Sequence, residues 1–247
     1  MDNSSANVPD GAPQQDRVKL RPPPNNVKVQ FPLSWIIVSP FVYRYEDQLW
    51  IDEFFDTGKL RLSTFAKFAT YPDEVRGDER EGHAACYGET QDGHSVGVMQ
   101  AQGNNAAVLC CSHWLSSELR DSFGRNSAFE IANTTGFAVE VARQLAGYRH
   151  GLEGSCIYRS EATINRQIDF DFDRYKQADG TVDRQMIFDA GQALGGSELV
   201  LLKRKRYSFQ QEYRLLWELD GIADDHIDIV APQARQYCRK LDAEDWA

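Results

Sequence analysis

Apolar positions along the chain fall into short runs with two different periods. Residues 35–45 read as extended, interrupted at Pro40, with Phe41, Tyr43 and Tyr45 on one face and Val42 and Arg44 on the other. Over residues 46–57 the period changes. Trp50 and Phe54, and Ile51 and Phe55, sit four apart, acids crowd the first turn and Gly58 follows, which predicts an amphipathic helix with a glycine stop. Residues 59–63 alternate as a short strand that closes in Ser63-Thr64. Residues 71–82 form a polar, acid-rich loop, either solvated or functional. Further strands are predicted over residues 95–100, 107–113, 137–141 (Phe137, Val139 and Val141 alternate), 155–159, 198–202, 212–219 and 226–230. Helices are predicted over 115–122, 127–133, 143–148, 182–194 (closing at Gly195-Gly196) and 232–241, and 160–180 reads as a polar connection.

Residues 1–27 are rich in Asn, Ser, Gln, Asp and Pro and cannot bury enough apolar surface to offset their ordering entropy, so they read as a disordered tail. No internal repeat or Pro/Gly linker divides the rest. The expectation is therefore one α+β domain over 28–247, with a mixed or antiparallel sheet core and flanking helices.

Composition narrows the function classes. The chain has 247 residues, 42% hydrophobic and 26% charged, enough for a sizeable core. No apolar run approaches the roughly 20 residues a membrane-crossing helix needs. The opening residues carry acids and no apolar stretch, unlike a signal peptide, so a cytoplasmic protein without a membrane partner is expected. The oligomeric state stays open. A net charge of −10 argues against a general nucleic-acid coat. The strip Lys203-Arg204-Lys205-Arg206 could still face an anion, or lie exposed beside a strand. Cys86, Cys110, Cys111, Cys156 and Cys238 have no framework spacing and read as reduced thiols. His83 with Cys86, and Cys110 and Cys111 with His113, loosely resemble metal-ligand spacings. Adjacent residues of a strand point to opposite faces, however, so Cys110 and Cys111 cannot share one tetrahedral ion without a bulge, and no metal is assigned.

Several catalytic signatures are absent: G-x-x-x-x-G-K-S/T, G-x-G-x-x-G and G-x-S-x-G do not occur. No spacing singles out a Cys–His pair. Asp169, Asp171 and Asp173 would share one face if extended and could ligate a hard cation, or form a solvated edge. Glu212 stands at the mouth of a strongly strand-forming run that ends at Asp220-Gly221. It is either a held carboxylate facing a cleft, or the ion-pair partner of Arg214 or of one of Lys203, Arg204, Lys205 and Arg206.

Three positions form an ordered set: Arg44 near the end of the first aromatic strand, Ser63-Thr64 closing the second, and Gln210-x-Glu212 opening a late one. This order resembles the R-S-E pattern of arginine-type ADP-ribosyltransferases. The resemblance implies a split sheet with NAD as substrate. It implies that Arg44 grips the phosphates and ribose, that Ser63 and Thr64 brace the cleft, and that Gln210 and Glu212 form the catalytic turn. Tyr43, Tyr45 or Tyr213 would stack on nicotinamide. The residue types suit those tasks, since Arg offers a fixed donor fork for pyrophosphate and a carboxylate can stabilise the positive charge that develops as a glycosidic bond breaks. Phe65 replaces the third residue of the Ser-Thr-Ser brace, and Gln210 at the first position of the acidic turn argues against arginine as acceptor.

A second set spans most of residues 41–219: Tyr43-Arg44-Tyr45, Gly58 to Ser63, the acidic run ending in Glu81-Gly82, and Glu212-Tyr213-Arg214. It resembles an uncharacterised bacterial family of unknown function, and by analogy alone implies a role in bacterial conflict or phage defence. Three readings follow. The first is an NAD-dependent ADP-ribosyltransferase or NAD-cleaving enzyme, whose acceptor is a protein, a nucleic acid or water. The second is a non-catalytic nucleotide- or protein-binding module in which Arg44, Glu212 and Arg214 form a structural ion-pair network. The third is a metal-dependent nuclease or hydrolase using Asp78, Glu79 and Glu81.

Overall fold

The structure, a computed structural model, describes residues 26–30, 34–38, 41–70, 75, 81–91, 93–101, 105–161, 163–194, 196–221 and 225–246. In chain order its elements are β1 (Asn26–Gln30), β2 (Ser34–Val38), β3 (Val42–Glu46), α1 (Gln48–Thr57), β4 (Lys59–Thr64) and α2 (Phe65–Ala69). Then come β5 (His83–Glu89), β6 (Ser95–Ala101), β7 (Ala106–Ser112), α3 (Ser117–Ser122), β8 (Ser127–Ile131), α4 (Thr134–Ala142) and β9 (Tyr148–Ser155). The chain continues through β10 (Ile157–Arg159), β11 (Thr163–Gln167), α5 (Gln185–Leu194), β12 (Leu202–Arg204), β13 (Glu212–Leu219), β14 (His226–Val230) and β15 (Cys238–Lys240). The architecture is mixed α+β with a mostly antiparallel sheet core and few helices. Only β10 with β12 and β11 with β5 run parallel among the described pairs.

The central eight-stranded sheet forks at β7. One edge of β7 is covered by β13 along its length, from Glu212 opposite Ser112 to Glu218 opposite Ala106. The other edge is shared. β4 pairs there at Ala107 and Val108, and β3 pairs at Ser112. Among the described residues no strand pairs with Leu109, Cys110 or Cys111 on that edge. One arm of the fork continues from β3 to β8 and β15, the other from β4 to β14. Helix α1 connects the two arms. It buries Ile51 and Phe54, three residues apart, against the sheet, about 1.5–3 kcal/mol each. It stops at Gly58, which is left-handed at φ 84°.

Alternation along the central strands sorts two cores. Leu109, Cys111, Tyr213, Leu215 and Trp217 pack on the face covered by α1 and α4. Val108, Leu216 and partly buried Cys110 pack on the other face, with Phe65, Val200 and Leu201. A smaller sheet, ordered β11-β5-β6, closes a third cluster with Leu194, Leu199 and Leu202. Among the described residues no helix is long and apolar enough to cross a membrane.

Several expectations are corrected. Residues 127–133, expected as a helix, form β8, all five of whose residues are buried; a strand covered on both faces loses the alternation that identifies strands. Residues 137–141, expected as a strand, belong to α4. Positions i and i+4 satisfy either period and i+2 the strand alone, and here Phe137 and Val141 face the core while Val139 is exposed. Asn133 caps α4 through its side chain, accepting from the Gly136 N–H. Residues 143–148 are not a helix: Gly147, at φ 70°, turns the chain into β9. Residues 198–202 are a 3₁₀ segment (Ser197–Leu201) before β12, and 232–241 split into a 3₁₀ segment (Pro232–Tyr237) and β15. The polar stretch 160–180 contains β11. No acid lies in the first turn of α1, because Glu46 and Asp47 precede it. The Asp169 to Asp173 run bends rather than extends, with Asp171 accepting from the Asp173 and Arg174 N–H groups. Asn26 and Val27, placed in the tail, belong to β1; residues 1–25 lie outside the described residues.

Candidate functional site

A cleft of about 740 Å³, open to solvent, lies at the fork and is lined by Arg44, Ser63, Arg125, Gln210, Glu212 and Arg214, among others. Each is placed by a local device. Arg44 alternates with the buried Tyr43 and Tyr45 on β3, and its Nη1 donates to the Cys110 carbonyl at 2.8 Å, filling the gap where β7 lacks a strand neighbour. Ser63 sits near the end of β4, and among the described residues no partner of its hydroxyl is seen. Glu212 opens β13 directly after Gln211, whose φ of 43° makes it the one non-glycine residue with positive φ among those described. A left-handed non-glycine residue stores on the order of 1 kcal/mol or more, and such strain concentrates at sites the surroundings must hold in shape.

The cleft floor is a buried, charge-balanced group. The Glu212 Oε1 accepts from Arg214 Nε at 2.5 Å, and its Oε2 accepts from Lys203 Nζ. Arg214 also donates to Glu81 Oε1 and, at 2.9 Å, to the Val200 carbonyl. Lys203 reaches Gln210 Oε1 at 2.8 Å and lies 3.9 Å from Glu81 Oε2. Gln210 in turn donates to the Val75 carbonyl at 2.6 Å. All five side chains are buried, with Arg214 only 1% exposed. Burial alone would raise the Glu212 pKa, but Arg214 and Lys203 outweigh it and hold the carboxyl far below its usual range. Burial would likewise lower the Lys203 pKa, and Glu212 with Glu81 holds it above its ordinary value instead. Glu212 is therefore a fixed anion, unsuited to giving or taking a proton near neutral pH.

A second pair of cations stands at the rim. Arg44 Nη2 and Arg125 Nη1 both bond Glu46, at 3.0 and 2.6 Å, and Arg125 also reaches Asp47 at 2.7 Å. Burial opposes the Arg44 charge, yet Glu46 leaves its pKa above the ordinary value.

The structure thus brings Arg44, Ser63, Gln210 and Glu212 to one cleft. Tyr45 touches its edge, but its hydroxyl donates to the Trp114 carbonyl at 2.7 Å and its ring packs on Phe123. Tyr43, Thr64 and Tyr213 are not brought there. Tyr43 is buried in the cluster with Leu119 and Ala128. Thr64 caps α2, accepting from the Lys67 N–H, and its hydroxyl contacts the Asp225 carbonyl. Tyr213 lies between Glu212 and Arg214 on β13 and so faces the opposite core. Period-two alternation in the sequence already carried that exclusion. Arg125 and the pairing of Glu81 carry no signal in the sequence, whereas the ion pairs of Glu212 with Arg214 and Lys203 match one of the two readings of that acid. Arg125 follows a turn at Gly124, where no periodicity points anywhere. The basic strip does not act as a unit, since Lys203 is buried while Lys205 and Arg206 are exposed.

Of the acids in the hydrolase reading, Asp78 and Glu79 lie outside the described residues, and Glu81 is engaged by Arg214 and Lys203. Among the described residues no three His, Cys, Asp or Glu side chains are grouped to hold a metal ion. All five cysteines are free thiols, and burial pushes the Cys111 thiol up to about 12. No protein-family model, curated protein or solved structure matches the chain.

Proposed function

We propose that the forked cleft binds NAD and that the chain is an ADP-ribosyltransferase-like or NAD-cleaving enzyme. One observation carries this reading. Arg44, Ser63 and Glu212, from strands far apart in sequence, meet on a cleft lined by four cationic side chains (Arg44, Arg125, Lys203, Arg214) and two acids (Glu81, Glu212), in a chain whose net charge is −10. Lys203 and Arg214 are matched by Glu81 and Glu212, and Arg44 and Arg125 by Glu46 and Asp47, so what the cleft offers an anionic ligand is the donor forks of Arg44 and Arg125 rather than a net positive charge. The forked edge of β7 supports the expected split sheet, because it opens the cleft between two arms of one sheet.

In this reading the guanidiniums of Arg44 and Arg125, oriented by Glu46, take the pyrophosphate. A carboxylate accepts at about four lone-pair sites, and Arg214 and Lys203 occupy two on Glu212. The others can hold a ribose hydroxyl and stabilise positive charge developing as the nicotinamide bond lengthens. Its depressed pKa fits an electrostatic role and excludes that of proton donor. Ser63 offers an uncommitted hydroxyl elsewhere on the same cleft.

The full pairing of Glu212 favours a second reading, a nucleotide-binding module without turnover, in which the buried group only ties β12 and β13 to Glu81. Calorimetry with NAD and chromatography for released nicotinamide separate the two. Arg44→Ala is expected to weaken NAD binding about tenfold or more, the range for hydrogen bonds to a charged group. Glu212→Asp keeps the charge but withdraws it, and is expected to bind NAD and release no nicotinamide. Binding without release by the wild type would select the module. No binding at millimolar NAD by folded protein would refute both.

A further inference from the structure

A second cleft, of about 960 Å³, adjoins the first beneath α1. Arg44, Ser63 and Arg125 line both. An anion held by these two guanidiniums therefore has an open cleft on each side, which suits a ligand with two arms. The chemistry of the second cleft differs from that of the first. Its floor is apolar, built from Ile51, Phe54 and Phe129, each at most 2% exposed. One wall is Trp50, which is 45% exposed although its spacing with Phe54 predicts a core position. Lys59 Nζ stands 5.7 Å from the indole centroid, a cation–π contact that restrains the ring.

The charges of this cleft beyond the two shared arginines are matched among themselves. Arg61 is bidentate to Asp228 at 2.7 and 2.8 Å, and Lys59 pairs with Glu53 at 2.9 Å. No further phosphate is called for. A flat, uncharged, aromatic group fits, and a nucleobase is such a group.

We infer that the cleft beneath α1 takes the purine nucleoside arm of a dinucleotide, with Trp50 as the stacking residue that makes the site prefer a dinucleotide over a mononucleotide. This rests on the nucleotide reading of the forked cleft. With the pyrophosphate at Arg44 and Arg125, one nucleoside points to Glu212 and the other lies under α1. Base–aromatic stacking then adds affinity that a ligand lacking the purine cannot gain.

The test is calorimetric titration of wild type, Trp50→Ala and Trp50→Phe with NAD, ADP-ribose and nicotinamide mononucleotide. Melting curves should be unchanged, since Trp50 is an exposed helix position. Trp50→Ala is expected to weaken NAD and ADP-ribose about tenfold, which corresponds to about 1.4 kcal/mol. Nicotinamide mononucleotide should bind all three proteins alike, and Trp50→Phe should keep most of the dinucleotide affinity. Equal NAD affinity in wild type and Trp50→Ala would overturn this inference while leaving the nucleotide reading standing. So would an equal loss for all three ligands, which would mark a general structural effect. Failure of the wild type to bind any of them would overturn the nucleotide reading itself.

Discussion

Replacing Glu212 by Gln removes one of two anions from a buried group that is otherwise balanced. Arg214 would keep Glu81 and the Val200 carbonyl, but Lys203 would be left with Gln210 and a carboxylate 3.9 Å away. Breaking one partner out of a buried ion pair costs about 3–5 kcal/mol, because a desolvated charge remains. A domain of this size loses about 2–4 °C of melting temperature per kcal/mol, so a fall of roughly 6–20 °C is expected. The pH dependence has a definite sign. The folded-state pKa of Glu212 lies below its unfolded value, so its stabilisation is fully present above about pH 4.3 and fades as pH falls through the lower folded value. The gap between wild type and Glu212→Gln should therefore stay constant from about pH 5 to 8 and narrow below about pH 4. Adding Lys203→Met removes the orphaned cation and leaves Arg214 with Glu81 as a balanced pair. The double variant should then be less destabilised than the sum of the singles by at least about 2 kcal/mol. Urea unfolding of the four proteins at several pH values measures each quantity. Additive effects, or a cost below about 1 kcal/mol for Glu212→Gln, would refute the assignment of these side chains to one coupled network. Because the same substitution disturbs the fold, loss of turnover in Glu212→Gln alone would not identify a catalytic residue, which is why Glu212→Asp and Arg44→Ala are the better functional probes.

Two further outcomes are expected. Gly58→Ala should cost more than about 2 kcal/mol: φ is 84°, and an added Cβ would stand 2.5 Å from the Pro232 backbone, so a denaturation midpoint close to wild type would contradict the packing of α1 against that turn. Cys86, Cys111 and Cys156 are buried, and burial pushes the Cys111 and Cys156 thiols up. A thiol reagent at pH 7.5 should therefore modify these three only on unfolding; rapid labelling of Cys111 in the native protein would count against the closed core around β7.

Much of the site could be read before folding. The sequence alone determined the bounds of β13 and β14, the helix stopped by Gly58 and the strand that ends in Ser63-Thr64, because there apolar period, turn residues and helix caps agree. It also determined that Ser63 and Glu212 stand at strand ends, whereas Arg44, expected near the end of its strand, lies at the middle of β3. Where periods coincide or vanish it determined nothing: Phe137 and Val141 fit helix and strand alike, and β8, buried on both faces, carries no alternation. Only the tertiary structure decided that β3 and β4 share one edge of β7 and so open a cleft there. It alone picked Lys203 out of the basic strip and brought Glu81 from a distant segment to complete the charge balance around Glu212 and Arg214, and it placed Arg125 beside Arg44. Periodicity is a local property of the backbone, whereas the partner of a buried charge is set by long-range strand pairing and by the need to leave no desolvated charge uncompensated.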